Sequence, residues 1–269
     1  MPTEYILLLL ATGIGVGFAQ GLLGVGGCFI MVPVTTMVFT GMGFPIDIAV
    51  KVAFGSNLLV VLFGAISGSL AHHRKGAVWW KAAIILGIAA AAGALLGSTI
   101  TSQFISGGGI KVAFGAVIIA AALWMLIARP PEVEEEPKDD PRLWVAWGFP
   151  VGIVSGLIGL GGAVLLIPVL TTALKFKMHQ AVGTSLAVMM FSGAAGALGY
   201  LLNGLNVSGL PAYSTGYINW IAWGALAATS IAMAQVGART AHMLPAKWLR
   251  MIFIAVMVYM GLRMIGAVP

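Results

Sequence analysis

Charge is scarce in this chain, and acidic charge most of all. Only eight Asp and Glu residues occur in 269. Glu4 is terminal, and Glu132, Glu134, Glu135, Glu136, Asp139 and Asp140 share one polar stretch. Asp47 is the acid that remains near an apolar segment, and one acid cannot form a carboxylate relay. Proton coupling would therefore have to use His or the solute's own proton. Cysteine is reduced to Cys28, which excludes an intrachain disulfide. The sequence has no Walker motif, no metal-ligand spacing and no nucleophile–base pair in a supporting context. No ATP site, metal, cofactor or catalytic residue is expected. The N-terminus lacks a basic n-region and no cleavage motif follows the first apolar run, so no removable signal peptide is expected.

What fills the chain instead is apolar. Hydrophobic residues make up 60% and charged residues 8%, with a mean hydropathy of +1.03. A soluble domain of this size could not hide that much apolar surface, so the chain reads as an all-α polytopic membrane protein with lipid as its main surroundings. Lys and Arg outnumber acids 14 to 8. They fall in short loops, where they set membrane topology, and they do not point to nucleic acid.

The chain also says one thing twice. Gln20-Gly-Leu-Leu-Gly-Val-Gly-Gly-Cys-Phe-Ile-Met-Val-Pro-Val34 returns as Ser155-Gly-Leu-Ile-Gly-Leu-Gly-Gly-Ala-Val-Leu-Leu-Ile-Pro-Val169. The repeat continues: Lys51–Asn57 aligns with His179–Ser185, Gly68, Leu70 and Gly76 with Gly196, Leu198 and Gly204, and, after an insertion near 205–216, Gly97 with Gly237. Duplication of a whole module follows. The division is an N-terminal transmembrane repeat over 1–128, an acidic Pro-rich linker over 129–142 that is too polar to pack, and a C-terminal transmembrane repeat over 143–269.

Each half shows five apolar segments, about 5–23, 28–41, 48–71, 78–103 and 109–128, then about 143–158, 163–174, 181–202, 217–237 and 247–266. The second of each set, about 13 residues, covers roughly 20 Å against about 30 Å of hydrocarbon. The first two segments of each half are therefore expected to be a hairpin of short helices with the Gly cluster at its tip, followed by three spanning helices. Whether each hairpin spans fully or re-enters is open. Equivalent loops carry opposite charge. His72-His-Arg-Lys75 is basic where 203–216 is uncharged, and 101–109 is uncharged where 239–247 is basic. By the positive-inside rule the halves are inverted repeats in the cell membrane, with the linker and the Lys175-Phe-Lys177 loop cytoplasmic and both termini external.

Paired Gly-interrupted segments at membrane depth are the best sequence pointer to a transporter's binding site. Gly24, Gly26 and Gly27, and again Gly159, Gly161 and Gly162, can turn the chain. The helices that follow would present free N–H groups and a positive dipole end to an anion. Ser56 and Asn57, and their equivalents Thr184 and Ser185, could complete an anion cage by donating hydrogen bonds; Gln20 and Ser155 precede the two clusters. Close helix packing and ordinary interhelical hydrogen bonds are the competing uses of the same residues. Lys51 and His179 are equivalent cations near helix starts, suited to snorkelling or to drawing an anion to a pathway mouth. His72, His73, Arg74 and Lys75 read as a topogenic loop, and Asp47 as a first-turn acid.

On the doubled G-x-x-G-x-G-G-x-x-x-x-x-P element, the Ala181-Val-Gly-Thr-Ser-Leu186 run and the two-module organisation, the chain resembles the TauE/SafE family of sulfite and organosulfonate exporters, within the 4-toluene sulfonate uptake permease group. The first half departs from the pattern, with Gly55-Ser56-Asn57 in place of Gly-Thr-Ser. The resemblance implies export of small sulfur oxyanions or sulfonates without ATP hydrolysis by this chain. The residues themselves imply only a small anion moved by alternating access. An anion channel, an importer of another oxyanion or carboxylate, and a membrane enzyme or assembly factor are the alternatives, and a homo-oligomer is left open.

Overall fold

Helices dominate because apolar runs in lipid must satisfy their backbone groups within the segment. The computed structural model describes residues 1–24, 26–127, 137–241, 243 and 245–267. The first half holds α1 (Thr3–Leu23), α2 (Cys28–Gly41), α3 (Ile46–His73), α4 (Trp80–Phe104) and α5 (Gly107–Ile127). The second holds α6 (Pro141–Ile158), α7 (Ala163–Pro168) running into a π-helical turn (Val169–Ala173), α8 (Met178–Gly204), α9 (Trp220–Ala241) and α10 (Ala246–Ile265). A two-stranded antiparallel hairpin, β1 (Ser214–Thr215) and β2 (Ile218–Asn219), closes the second-half insertion.

Two expectations change. The first arm of each hairpin is not short: α1 has 21 residues and α6 has 18, and both are among seven helices, of the described residues, long and apolar enough to cross a membrane. The linker also packs at its end. Lys138 N–H donates to the Leu174 carbonyl, Asp139 pairs with Lys81 at 2.8 Å, and Asp140 caps α6 by accepting from Arg142 N–H. Most of the linker, including Glu132, Glu134, Glu135 and Glu136, lies outside the described residues.

The centre belongs to α3 and α8, whose most apolar windows are 78% and 61% buried; the other long helices reach at most 44%. The two run antiparallel, with Gly55 beside Tyr200, Leu58 beside Gly193 and Gly196, and Gly68 beside Leu186. Around them α1 lies parallel to α9 and α6 parallel to α4. Gly13, Gly17 and Gly21 meet Leu226, Ser230 and Ala234 in turn, while Gly148, Gly152 and Gly156 meet Leu86, Ala90 and Ala94. Each contact is glycine against helix backbone, the close approach that drives association where lipid offers no hydrophobic contrast. Exchanging the halves turns the α1–α9 pair into the α6–α4 pair.

Loops sort by charge at the two ends of the bundle. Lys75, Pro137, Lys177 and His179 border one basin, and His179 Nε2–H reaches the Ala241 carbonyl at the end of α9. At the other end Lys51 meets Asp47 and the Ser102 carbonyl, Gln103 donates to Asn203, and Gly209 approaches Ile48. The hairpins open at opposite ends. Tyr5 and Gly41 bring the arms of α1–α2 together at the Lys51–Asp47 end, while the chain before α6 meets Leu174 at the basic end.

These contacts predict a sharp contrast between two neighbouring glycines. Gly17→Leu would force a side chain into the Ser230 backbone of α9 and should cost on the order of 3 kcal/mol. Gly15→Leu, exposed with nothing within 4 Å, should leave stability unchanged. Thermal unfolding of the detergent-solubilised variants checks both.

Candidate functional site

Each Gly cluster forms the same turn. Gly24, Gly26 and Gly27 have φ of 71°, 76° and 62°; Gly159, Gly161 and Gly162 have 64°, 72° and 89°. Positive φ is where a Cβ costs most, and glycine recurs at all six positions. Gly24 ends α1 in the left-handed conformation, its N–H donating to the Gln20 carbonyl; Gly159 ends α6 likewise on Ser155. Gly27 and Gly162 then stand at the starts of α2 and α7, and first-turn N–H groups of a helix have no partner within it.

The last-turn carbonyls that these breaks release are taken up by the central helices. His72 Nε2–H donates to the Gly21 carbonyl at 2.9 Å, and Tyr200, its repeat equivalent, donates to the Gly156 carbonyl at 2.9 Å. Ser185 Oγ donates to Gly24 and Ser192 Oγ to Gly161, both at 2.9 Å. His72 is thus no part of a solvated loop. It is fully buried in the last turn of α3, while His73, Arg74 and Lys75 are exposed. Tyr200 and Ser192 carried no motif, yet their equivalence to His72 and Gly64 in the repeat could have drawn attention to them.

Beside Ser185, the predicted polar residues divide into two groups. Ser56 and Thr184 point their hydroxyls at loop amides. Ser56 Oγ accepts from Asn219 N–H at 2.9 Å just before α9, and Thr184 Oγ1 from Trp79 N–H at 3.1 Å just before α4. These are equivalent clasps, one towards each end of the bundle. Gln20, Asn57 and Ser155 are buried and keep polar atoms with no protein partner among the described residues: Gln20 Oε1, Asn57 Nδ2 and Ser155 Oγ. Gln20 Nε2 donates to the Val61 carbonyl, and Asn57 Oδ1 accepts from Thr35 Oγ1. Groups of this kind are costly inside a protein unless something else completes them.

The two turns meet in the middle. Gly26 and Gly161 both face Val61 and Met189, and a Cβ at Gly26 would come within 3.6 Å of the Leu160 carbonyl in the opposite turn. Gly24 rests on Val182 and Ser185, and Gly159 on Phe54, which is the repeat equivalent of Val182. Gly27 lies on Val16, and Gly162 beside Ser155 and Ser192.

The two mouths differ in charge. At the basic end an open basin of about 720 Å³ is lined by Lys75, Trp79, Lys177, His179 and Gln180 among others. At the other end Lys51 is buried and neutralised by Asp47 at 3.1 Å, four residues back on the same helix. Burial, and then the nearby Asp47 carboxylate, raise the Tyr217 phenol above its ordinary range, which keeps it neutral. Among the described residues no group of three or more His, Cys, Asp or Glu could hold a metal.

The clasps and the unpartnered groups should respond differently to substitution. Thr184→Val strands the Trp79 amide and should cost about 1–3 kcal/mol. Ser155→Ala removes a hydroxyl that has no protein partner and should leave the unfolding midpoint unchanged or slightly raised. Parallel melts of the two variants test this.

Comparison with known proteins gives this arrangement a context. The family model described as sulfite exporter TauE/SafE matches residues 9–264. A probable membrane transporter protein of Methanocaldococcus jannaschii is 29% identical over 97% of both chains. One from Xylella fastidiosa strain 9a5c is 31% identical over 74% of this chain and 76% of its own. The probable membrane transporter protein YunE of Bacillus subtilis is 25% identical over 96% and 97%. No solved structure matches the chain significantly.

Proposed function

Because the chain belongs to the TauE/SafE sulfite exporter family and is a membrane transporter protein by that membership, we propose that it carries small sulfur oxyanions or sulfonates out of the cell. The anion binds between the two Gly turns, on the N–H groups that begin α2 and α7, with Asn57 Nδ2 and Ser155 Oγ as further donors. Gln20 Oε1, an acceptor, suits the proton of a hydrogen oxyanion such as bisulfite.

One observation carries this reading: two Gly turns from hairpins that open at opposite ends of the bundle face the same pair of central side chains, Val61 and Met189. Antiparallel α3 and α8, and hairpins opening at opposite ends, support inverted repeats. Positive φ at all six glycines supports backbone amides as the anion ligands. Alternating access then follows from one hairpin-bearing unit moving against the other.

The direction rests on charge. Under the positive-inside rule the basic end is cytoplasmic. Lys75, Lys177 and His179 would collect anions there, while at the outer mouth Lys51 is neutralised by Asp47. A potential negative inside adds about 2.3 kcal/mol per charge per 100 mV to outward anion movement, so export needs no coupling ion.

Counterflow in proteoliposomes tests the proposal and separates a carrier from a channel. Vesicles loaded with sulfite should accumulate labelled sulfite or a small sulfonate transiently. Gly26→Leu and Gly161→Leu should each lower that exchange by at least about tenfold, the effect of misplacing a binding group, with the protein still folded. Exchange that is absent from the wild type, or undiminished in a folded double variant, would refute the reading.

A further inference from the structure

The two side chains that face both turns are unlike one another. Val61 on α3 and Met189 on α8 occupy equivalent positions in the register that sets Gly68 against Gly196, and both are fully buried. A Cβ built on Gly161 would lie 2.9 Å from Val61 Cγ1 and 3.5 Å from Met189 Cε. One built on Gly26 would collide with Met189 Cε and lie 3.5 Å from Val61 Cγ1. The end of the Met189 side chain thus touches both turns at once.

Only one of the pair can withdraw without moving its helix. Val61 is branched at Cβ and stiff in χ1, and its carbonyl is tied to the Gln20 amide at 3.1 Å. Met189 has three rotatable bonds and a polarisable thioether that tolerates new neighbours. Buried groups short of a partner flank this point. Gln20 Oε1 lies against Gly64, less than a turn past Val61, and Ser155 Oγ lies beside Gly162. The end of the Met189 side chain is the apolar group that lies against both turns near these atoms.

We infer that the Met189 side chain is the movable barrier between the Gly turns, and that its reach sets the largest anion the protein carries. The inference rests on the proposal that the anion passes between those turns. It makes Met189 a determinant of specificity that neither the repeat motif nor the polar residues identify.

The test is exchange in proteoliposomes with sulfite, methanesulfonate and a bulky arylsulfonate as probes. Met189→Ala should raise arylsulfonate exchange relative to sulfite by about tenfold, the discrimination a few methylenes can supply. Met189→Leu, close in volume, should stay within about threefold of the wild type. Met189→Phe should slow every probe. A second measurement does not depend on transport. In a Cys28→Ser background, Met189→Cys should react with an anionic sulfonate-bearing thiol reagent, and saturating methanesulfonate should slow that reaction.

A Met189→Ala protein that is folded and active, with an unchanged arylsulfonate-to-sulfite ratio, overturns the inference while leaving the proposed function standing. So does a Met189→Cys thiol that methanesulfonate does not protect. A wild-type protein that exchanges none of the three anions overturns both.

Discussion

Everything in this fold answers one constraint. A backbone that leaves the helix at membrane depth must find hydrogen-bond partners inside the protein. The chain breaks twice, after Leu23 and after Ile158. At each break the released carbonyls are met by a ring from the third helix of the same half and a serine from α8. His72 and Ser185 serve the first turn, Tyr200 and Ser192 the second. The carbonyl side of each turn is therefore held by the protein. The amide side, at the starts of α2 and α7, presents first-turn N–H groups that have no partner within their helix.

That division explains why α3 and α8 are the buried centre. They hold each turn in place, and between them they present Val61 and Met189 to both turns. The outer helices pair with one another through glycine contacts, α1 with α9 and α6 with α4, since apolar side chains gain nothing by leaving lipid for another apolar surface. The antiparallel crossing also gives the two mouths equivalent architecture. Ser56 and Thr184 clasp the loops, and Lys51 and His179 cap the C-terminal carbonyls of α4 and α9. The halves differ mainly in charge and side-chain size. Gln20 lies against Gly64 where Ser155 and Ser192 flank Gly162, and Lys51 is neutralised by Asp47 where Lys75 and Lys177 stand near His179. Under the proposed alternating access, such differences let the two faces treat an anion unequally.

Much of this was legible in the sequence. The doubled Gly motif located both turns, because only glycine adopts positive φ at six such positions without cost. Loop charge sorted the loops into the two groups that share an end of the bundle. The resemblance to the TauE/SafE family agrees with the match over residues 9–264. What escaped depends on contacts between distant segments. Nothing near His72 signals that it reaches back 51 residues to Gly21, so it read as part of a loop. Ser56 and Thr184 read as donors to a solute, and their oxygens also accept from Asn219 and Trp79 in loops more than a hundred residues away, a clasp that their own neighbours in sequence do not signal. The short β-hairpin sits in an insertion with no repeat partner, and Met189 lies in an apolar run with no polar mark. The end of the linker packs because Asp139 finds Lys81, a partner its own composition did not reveal.

The central claim is that the two turns close on one anion from opposite sides. The most direct test is a density map of the protein in bilayer nanodiscs saturated with an iodine-labelled sulfonate, whose heavy atom is unmistakable. The account predicts a single anion between Gly26 and Gly161, its oxygens facing the amides of Gly27–Phe29 and Gly162–Val164. An anion bound only elsewhere, or no bound anion at saturation with both turns unchanged, would contradict it.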